Sequence, residues 1–103
     1  MVEGTSLVSP RLIRLGRKNL FYMNYVYILK SDKTGKLYKG STGDLRERVG
    51  NHNNGKVIST KDGRPWKLVY YEAFLSKIDA RREELFLKTG KGRERIKFLI
   101  KDI

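Results

Sequence analysis

An α+β domain is the fold class this sequence predicts: a small three-stranded, mainly antiparallel sheet flanked by helices, in the order β-β-α-β-α-α. Three observations predict it. Residues 25–30, YVYILK, form a β-rich run with Tyr25, Tyr27 and Leu29 on one face and Val26 and Ile28 on the other. The turn-forming SDKTGK at 31–36, with Gly35 free to take positive φ, returns the chain as LYKG at 37–40 and so makes a hairpin. Beyond the hairpin, one more β-rich run is enclosed by segments that carry helix caps and apolar side chains one turn apart.

Taken in order, residues 1–22 differ from the rest. Arg11, Arg14, Arg17 and Lys18 stand against a single acid, Glu3, and Pro10 interrupts any long helix. Leu7, Val8, Leu12, Ile13 and Leu15 show no sustained period, and charges throughout exclude the unbroken apolar stretch of a secretory signal. Met23 immediately precedes the first clean strand pattern. Residues 1–22 are therefore expected to be a basic, flexible extension with a short helix, and 23–103 the domain proper. After the hairpin, STGDLRERVGNHNNG (41–55) offers Ser41, Thr42 or Asp44 as a helix cap, Leu45 and Val49 as its inner stripe, and Asn54-Gly55 as its stop. Residues 56–66 read as loop, and KLVYYEAF (67–74) as the third strand. Ser76 with Asp79 resembles a capping box that opens a helix to about Lys88. Thr89-Gly90-Lys91-Gly92 breaks it, and RERIKFLI (93–100) forms the last helix with Ile96, Leu99 and Ile100 on one side.

Composition narrows the function. A chain of 103 residues holds one small domain, and 39% hydrophobic with 11% aromatic residues suffices for a modest core. No apolar run approaches the roughly 20 residues of a membrane span. Zero cysteines exclude a disulfide scaffold, a thiolate nucleophile and a Cys-built zinc site, and the single histidine, His52, excludes mechanisms that need two imidazoles. Lys and Arg number 23 against 11 Asp and Glu, a formal net charge of +12. Charge of that size points to a polyanionic partner, nucleic acid first, in a cytoplasmic setting without a membrane.

A few residues could carry chemistry. On the first helix Arg48 and His52 are four apart, share a face and lie along the edge of the Leu45–Val49 stripe, where they can point at the sheet. The bland alternative is a snorkelling arginine and a satisfied core histidine. Tyr27 and Tyr38 lie in the two arms of the hairpin. They can pack a core like other buried tyrosines, or accept a proton if cations such as Arg48 pull a phenol pKa down. Glu84 shares a helix face with Ala80 and Leu87, whereas the adjacent Glu83 points about 100° away. An inward carboxylate can form an ion pair or hold Mg²⁺, which takes one or two protein carboxylates and completes its shell with water and phosphate oxygens.

The blocks YVYIL, LYKGSTGDLRERVGNHNNGK, STKDGRPWKLVYYEAF and SKIDARREELFLKTGKGRE together resemble the GIY-YIG endonuclease superfamily over residues 24–96. They are most similar to its small, single-domain bacterial members, which are related to an N-terminal domain of the ABC excinuclease. The resemblance implies a small sheet flanked by helices, in agreement with the pattern above. It puts Tyr27 at the tyrosine of the GIY half, Tyr38 at that of the YIG half, Arg48 at the helix arginine, His52 at a histidine of many branches, and Glu84 at the metal-binding glutamate. Tyr25 stands in place of the glycine of GIY, Lys39 in place of the isoleucine of YIG, and no assisting asparagine follows near the C-terminus.

What the resemblance implies is metal-dependent hydrolysis of phosphodiester bonds, DNA favoured over RNA, of a repair or processing type. One Mg²⁺ or Mn²⁺ ion would sit on Glu84. Tyr38, helped by Tyr27 or His52, would act as general base or position the water, and Arg48 would grip the non-bridging oxygens. The rival reading is a catalytically weak or inactive nucleic-acid-binding module on the same scaffold, with a protein partner for targeting. A third is an RNA- or ribosome-associated factor, because phosphate-led affinity does not separate DNA from RNA.

Overall fold

The computed structural model describes residues 12–15 and 19–102, with side chains from Tyr22 onward. Its elements are β1 (Leu12–Leu15), β2 (Asn19–Tyr22), β3 (Asn24–Ser31), β4 (Leu37–Thr42), α1 (Leu45–Asn53), a 3-10 turn over Ile58–Gly63, β5 (Trp66–Phe74), α2 (Lys77–Leu87) and α3 (Gly90–Leu99). From β3 onward the order is the expected β-β-α-β-α-α. Strands β4, β3 and β5 form one sheet in that spatial order, with both pairings antiparallel.

β3 is the central strand, and Val26, Tyr27, Ile28 and Leu29 are all fully buried. An alternating pattern usually marks one wet face. Here both faces are covered, because the helices divide between them. Val26 and Ile28 pack with Ala80 and Leu87 of α2 and Ile96 of α3. Tyr27 and Leu29 pack with Leu45 of α1 and with Trp66. Full burial of aliphatic side chains such as Ile28 and Leu87 contributes roughly 1.5–3 kcal/mol each. Along β5 the register shifts between Ile28 and Leu29, which pair with Tyr70 and Leu68, so Val69 is the extra residue of a bulge and packs on the α2–α3 side.

Helix ends follow local chemistry. Asp44 caps α1 by accepting from the Glu47 amide, so β4 runs on through Ser41 and Thr42 and the helix starts later than its earliest candidate caps. Asn54 closes α1, and Gly55 follows at φ 76. Ser76 caps α2 through the amides of Ile78 and Asp79, but the Asp79 carboxylate pairs with Arg82 rather than completing a reciprocal box. The expected break at 89–92 is instead the first turn of α3: Thr89 accepts from the Gly92 amide and starts the helix at Gly90. Gly92 is buried where a β-carbon would collide with the Phe86 carbonyl and the Leu87 backbone, so its lack of a side chain sets how closely α3 approaches α2.

Two expectations need correction. The segment 56–66 is not featureless, since Ile58–Gly63 form the 3-10 turn. The short helix expected within 1–22 is replaced by a hairpin, in which Leu12 pairs with Tyr22 and Leu15 with Asn19. Ile13, Phe21 and Tyr22 are β-branched or aromatic and favour strands, which no helical period in this segment opposes. The expected flexibility of the extension falls partly on residues 1–11 and 16–18, outside the described residues.

Candidate active site

Four of the five candidate residues meet on the α1 face of the sheet. Tyr27 projects from β3 toward α1 because it alternates with Val26 and Ile28. Its directly opposed partner on β4 is Gly40, so no side chain blocks the phenol there. From α1, His52 and Arg48 reach the same hydroxyl: His52 Nε2 lies 2.9 Å and Arg48 Nε 3.4 Å from Tyr27 Oη. The other ring nitrogen of His52, Nδ1, lies 2.8 Å from Thr60 Oγ1, which in turn is within 3.4 Å of the Val57 carbonyl.

The hydrogen-bond network assigns the donors. Thr60 donates to the Val57 carbonyl, so its oxygen accepts from His52 Nδ1–H. Nε2 is then the acceptor, Tyr27 donates to it, and the Tyr27 oxygen accepts from Arg48. His52 and Thr60 are fully or almost fully buried, yet every polar atom in this relay has a partner. Burial, aided by the Arg48 charge, lowers the His52 pKa to about 4, so the imidazole is neutral at physiological pH.

Tyr27 departs from one sequence expectation. Burial raises its pKa to about 12, outweighing the hydrogen bond and charge of Arg48, which pull the other way. A phenol that is protonated and already donating to His52 orients its neighbours and takes no proton. Arg48 gains from the same contact: the Tyr27 hydrogen bond, ahead of weaker help from Tyr38, holds its pKa above the usual arginine value. Tyr38 is half-buried beside this group, its ring 4.8 Å from the His52 ring and 6.4 Å from those of Tyr27 and Trp66. The two tyrosines are neighbours across the hairpin, as the turn between them predicts.

Glu84 is the exception. It belongs to α2, which packs on the other face of the sheet together with Val26 and Ile28. It meets the sheet at the edge strand β4, where Ser41 Oγ donates to its Oε1 at 2.6 Å. Arg81 also donates to Oε1, and Lys88 donates to Oε2, each at 2.9 Å. The carboxylate is 5% exposed. Burial alone would raise its pKa, but the hydrogen bonds from Ser41, Lys88 and Arg81 reverse that and leave it lowered, so Glu84 is ionised. Its charge is close enough to oppose ionisation of Tyr27 through the sheet.

Among the described residues no group of three or more His, Cys, Asp or Glu side chains could cage a metal ion. The donor set at Glu84 fits a hydrated divalent cation, which needs one ionised carboxylate and supplies the rest of its shell from water and phosphate. Ser41 adds a second hard oxygen. The competing donors, Lys88 and Arg81, have side chains 46% and 60% exposed on long stems that can swing away.

Lys39 faces the same side as Glu84, opposite Ile28 on β3. Its half-buried amine has a lowered pKa, chiefly from burial and then from the nearby charges of Arg93 and Lys88. The strand accommodates this lysine in place of an apolar residue and adds a cation to that edge. Glu72 lies on β5 as expected and makes no contact with the Tyr27 group; one of its buried carboxylate oxygens has no hydrogen-bond partner.

Sequence reasoning misses two contributors. Ser41 stands among the candidate helix caps, although its position two residues after Lys39 on a strand already sets it on the Glu84 side. Thr60 lies in a segment whose sequence reads as loop, and no local signal marks it: its place depends on tertiary contacts of the 3-10 turn.

Comparison with known proteins bears on this site. Residues 23–97 match the family model described as the GIY-YIG catalytic domain. A UPF0213 protein of Clostridium perfringens is 48% identical over 67 residues, covering 64% of this chain and 71% of that protein. One from Staphylococcus haemolyticus is 42% identical over 77 residues, covering 74% and 93%. The solution NMR structure of a UPF0213 protein from Bacillus halodurans covers 75% of this chain and 84% of its own at 36% identity, with a TM-score of 0.47. Among the described residues no helix is long and apolar enough to cross a membrane.

Proposed function

The chain belongs to the GIY-YIG family of nuclease domains, and we propose that it is a metal-dependent endonuclease acting on DNA in preference to RNA. The observation that carries this reading is the relay Arg48–Tyr27–His52–Thr60 beside Tyr38, in which Arg48, Tyr27, His52 and Tyr38 are residues that the family resemblance singles out. A structural core has no need to bring a cation to a buried phenol held by a neutral imidazole. A site that must present a guanidinium to a phosphate does.

A phosphodiester is an anion, so hydrolysis requires a water brought in line, charge on the non-bridging oxygens offset, and the departing oxygen stabilised. Arg48, carried on the Tyr27 hydroxyl, supplies the fixed donor for the non-bridging oxygens. Tyr38 is the less buried phenol; it orients the attacking water and, as phenolate, accepts its proton while the phosphorus–oxygen bond to the leaving group breaks. Tyr27 and His52 hold geometry and transfer no proton. Glu84, with Ser41 beside it, would hold Mg²⁺ or Mn²⁺, which supplies Lewis-acid stabilisation of the phosphate and the departing oxygen. Lys39, Lys88 and Arg93 extend the positive edge along which the nucleic-acid backbone would lie.

A second reading, a nucleic-acid-binding module without strong activity, draws on the three donors that engage both oxygens of Glu84. The deciding experiment is a cleavage assay on single-stranded, duplex and branched DNA and on RNA, with Mg²⁺ or Mn²⁺, for the wild type and Glu84→Gln. Cleavage by the wild type alone, with folding and binding equal in both, supports the nuclease. Salt-sensitive binding with no cleavage by either supports the binding module.

A further inference from the structure

We propose that Thr60 is a positioning residue of this site: it fixes the Nδ1–H tautomer of His52 and, through it, the direction of the Tyr27 hydroxyl that carries Arg48. The inference rests on the nuclease reading for its kinetic consequence, but not for its structural one.

The 3-10 turn holds a single buried residue, Thr60, at 1% exposure, whereas Ile58 at the start of the turn is 91% exposed. The turn therefore adds almost no apolar area to the core, and its one inward side chain is a hydroxyl. Even so, it is fastened on several sides. Trp66 Nε1 donates to the Thr60 carbonyl at 2.8 Å, and Ser31 Oγ donates to the Gly63 carbonyl. Lys33 Nζ donates to the Asp62 carbonyl at 3.1 Å. Trp66 is itself locked to α1: its amide donates to Asn53 Oδ1 at 2.7 Å and its carbonyl accepts from Asn53 Nδ2 at 2.8 Å. Asn53 is the residue after His52, so the fastening ties the turn to the helix end that bears the imidazole.

What this framework delivers is one oxygen, 2.8 Å from His52 Nδ1. With that oxygen accepting, Nε2 is left unprotonated and faces Tyr27 as an acceptor, and the phenol's lone pairs turn to Arg48. Without it, the buried Nδ1–H has no acceptor. The imidazole then moves its proton to Nε2, which donates to the Tyr27 oxygen and competes with Arg48 for it. The guanidinium loses its anchor although its charge and the fold remain.

The test compares the wild type, Thr60→Val, which keeps the shape and removes the hydroxyl, and Thr60→Ser, which keeps the hydroxyl. Nitrogen-15 NMR of the single histidine reads the tautomer directly. The expected result is Nδ1–H in the wild type and Thr60→Ser, and Nε2–H in Thr60→Val. Cleavage kinetics should show kcat lowered about tenfold in Thr60→Val at an unchanged KM, in line with the 10- to 100-fold effects typical of residues that orient a site's ligands, and restored within about twofold in Thr60→Ser. A wild-type Nε2–H tautomer overturns the proposal whether or not any variant folds. So does a folded Thr60→Val with wild-type tautomer and kcat. If the wild type cleaves nothing, the nuclease reading fails, and the spectra still decide the role of Thr60 in setting the tautomer.

Discussion

Gly40 lies directly against the phenol of Tyr27: the two are paired across β4 and β3, and a β-carbon at position 40 would stand 2.6 Å from the Tyr27 oxygen and 2.7 Å from the ring carbon that bears it. Because Tyr27 is fully buried, the ring has nowhere to retreat without leaving His52 and Arg48. Gly40→Ala is expected to cost about 1–3 kcal/mol, the usual range for overpacking a tight core. It should also lower cleavage at least tenfold while leaving salt-sensitive binding to DNA intact. Urea denaturation and cleavage rates measured on the same preparation check both, and a variant of wild-type stability and rate would show that the phenol is not confined by this strand pair.

Glu84→Gln tests the other face of the sheet. The amide can still accept from one neighbour, but an NH₂ group then confronts either Lys88 or the Ser41–Arg81 pair. The expected result is a fold retained with a stability loss of about 1–3 kcal/mol, the range for leaving a buried polar group unsatisfied. Cleavage should disappear in Mg²⁺ and in Mn²⁺, and any rise in melting temperature that Mn²⁺ gives the wild type should vanish. Chelation of the wild type by EDTA should reproduce the loss of activity. Undiminished cleavage by Glu84→Gln would remove the metal role from this residue.

Arg48→Lys keeps the charge and loses the geometry. The Nε–H that reaches Tyr27 at 3.4 Å belongs to a planar guanidinium that can address a phosphate with its other nitrogens at the same time. An ammonium cannot do both. The variant should bind DNA with nearly wild-type affinity and salt dependence and show kcat reduced about tenfold or more, the scale on which misplaced charge stabilisation slows a reaction. Equal activity of the wild type and Arg48→Lys would mean that only charge is needed at this place.

Most of this architecture is legible in local sequence. The strands at 25–30 and 37–40 and the four-residue spacing of Arg48 and His52 are local patterns, and local patterns are enough to bring Tyr27, Tyr38, Arg48 and His52 to one face. Other features depend on contacts distant in the chain. The 3-10 turn has no apolar period of its own and is held by Trp66, Ser31 and Lys33. The basicity expected of Tyr27 fails because sequence shows the cation at position 48 but not the depth of burial that outweighs it. Spacing from Ala80 and Leu87 correctly turns Glu84 inward, yet which face of the sheet α2 covers is a matter of topology. Hydrophobic pattern also hides the hairpin in the extension, where each strand is only four residues long.

His52 gives the protein a predictable response to acid. In the folded chain its pKa is about 4, because burial and the Arg48 charge disfavour the imidazolium; in the unfolded chain it returns to 6.5. Between those values the unfolded state binds a proton that the folded state refuses, so stability falls as pH drops from about 6.5 to 4 and levels off below. The gap corresponds to about 3 kcal/mol at most. Glu84, with its lowered pKa, loses its contribution at the acid end of this range and beyond, whereas Glu83, whose pKa is raised by burial and by Glu72, acts in the opposite sense. Subtraction separates these contributions. Unfolding free energies of the wild type and of His52→Gln, measured by urea denaturation from pH 7 to pH 4, should converge as the pH falls, because only the wild type carries this protonation penalty. Parallel curves would mean that the buried imidazole titrates alike in both states.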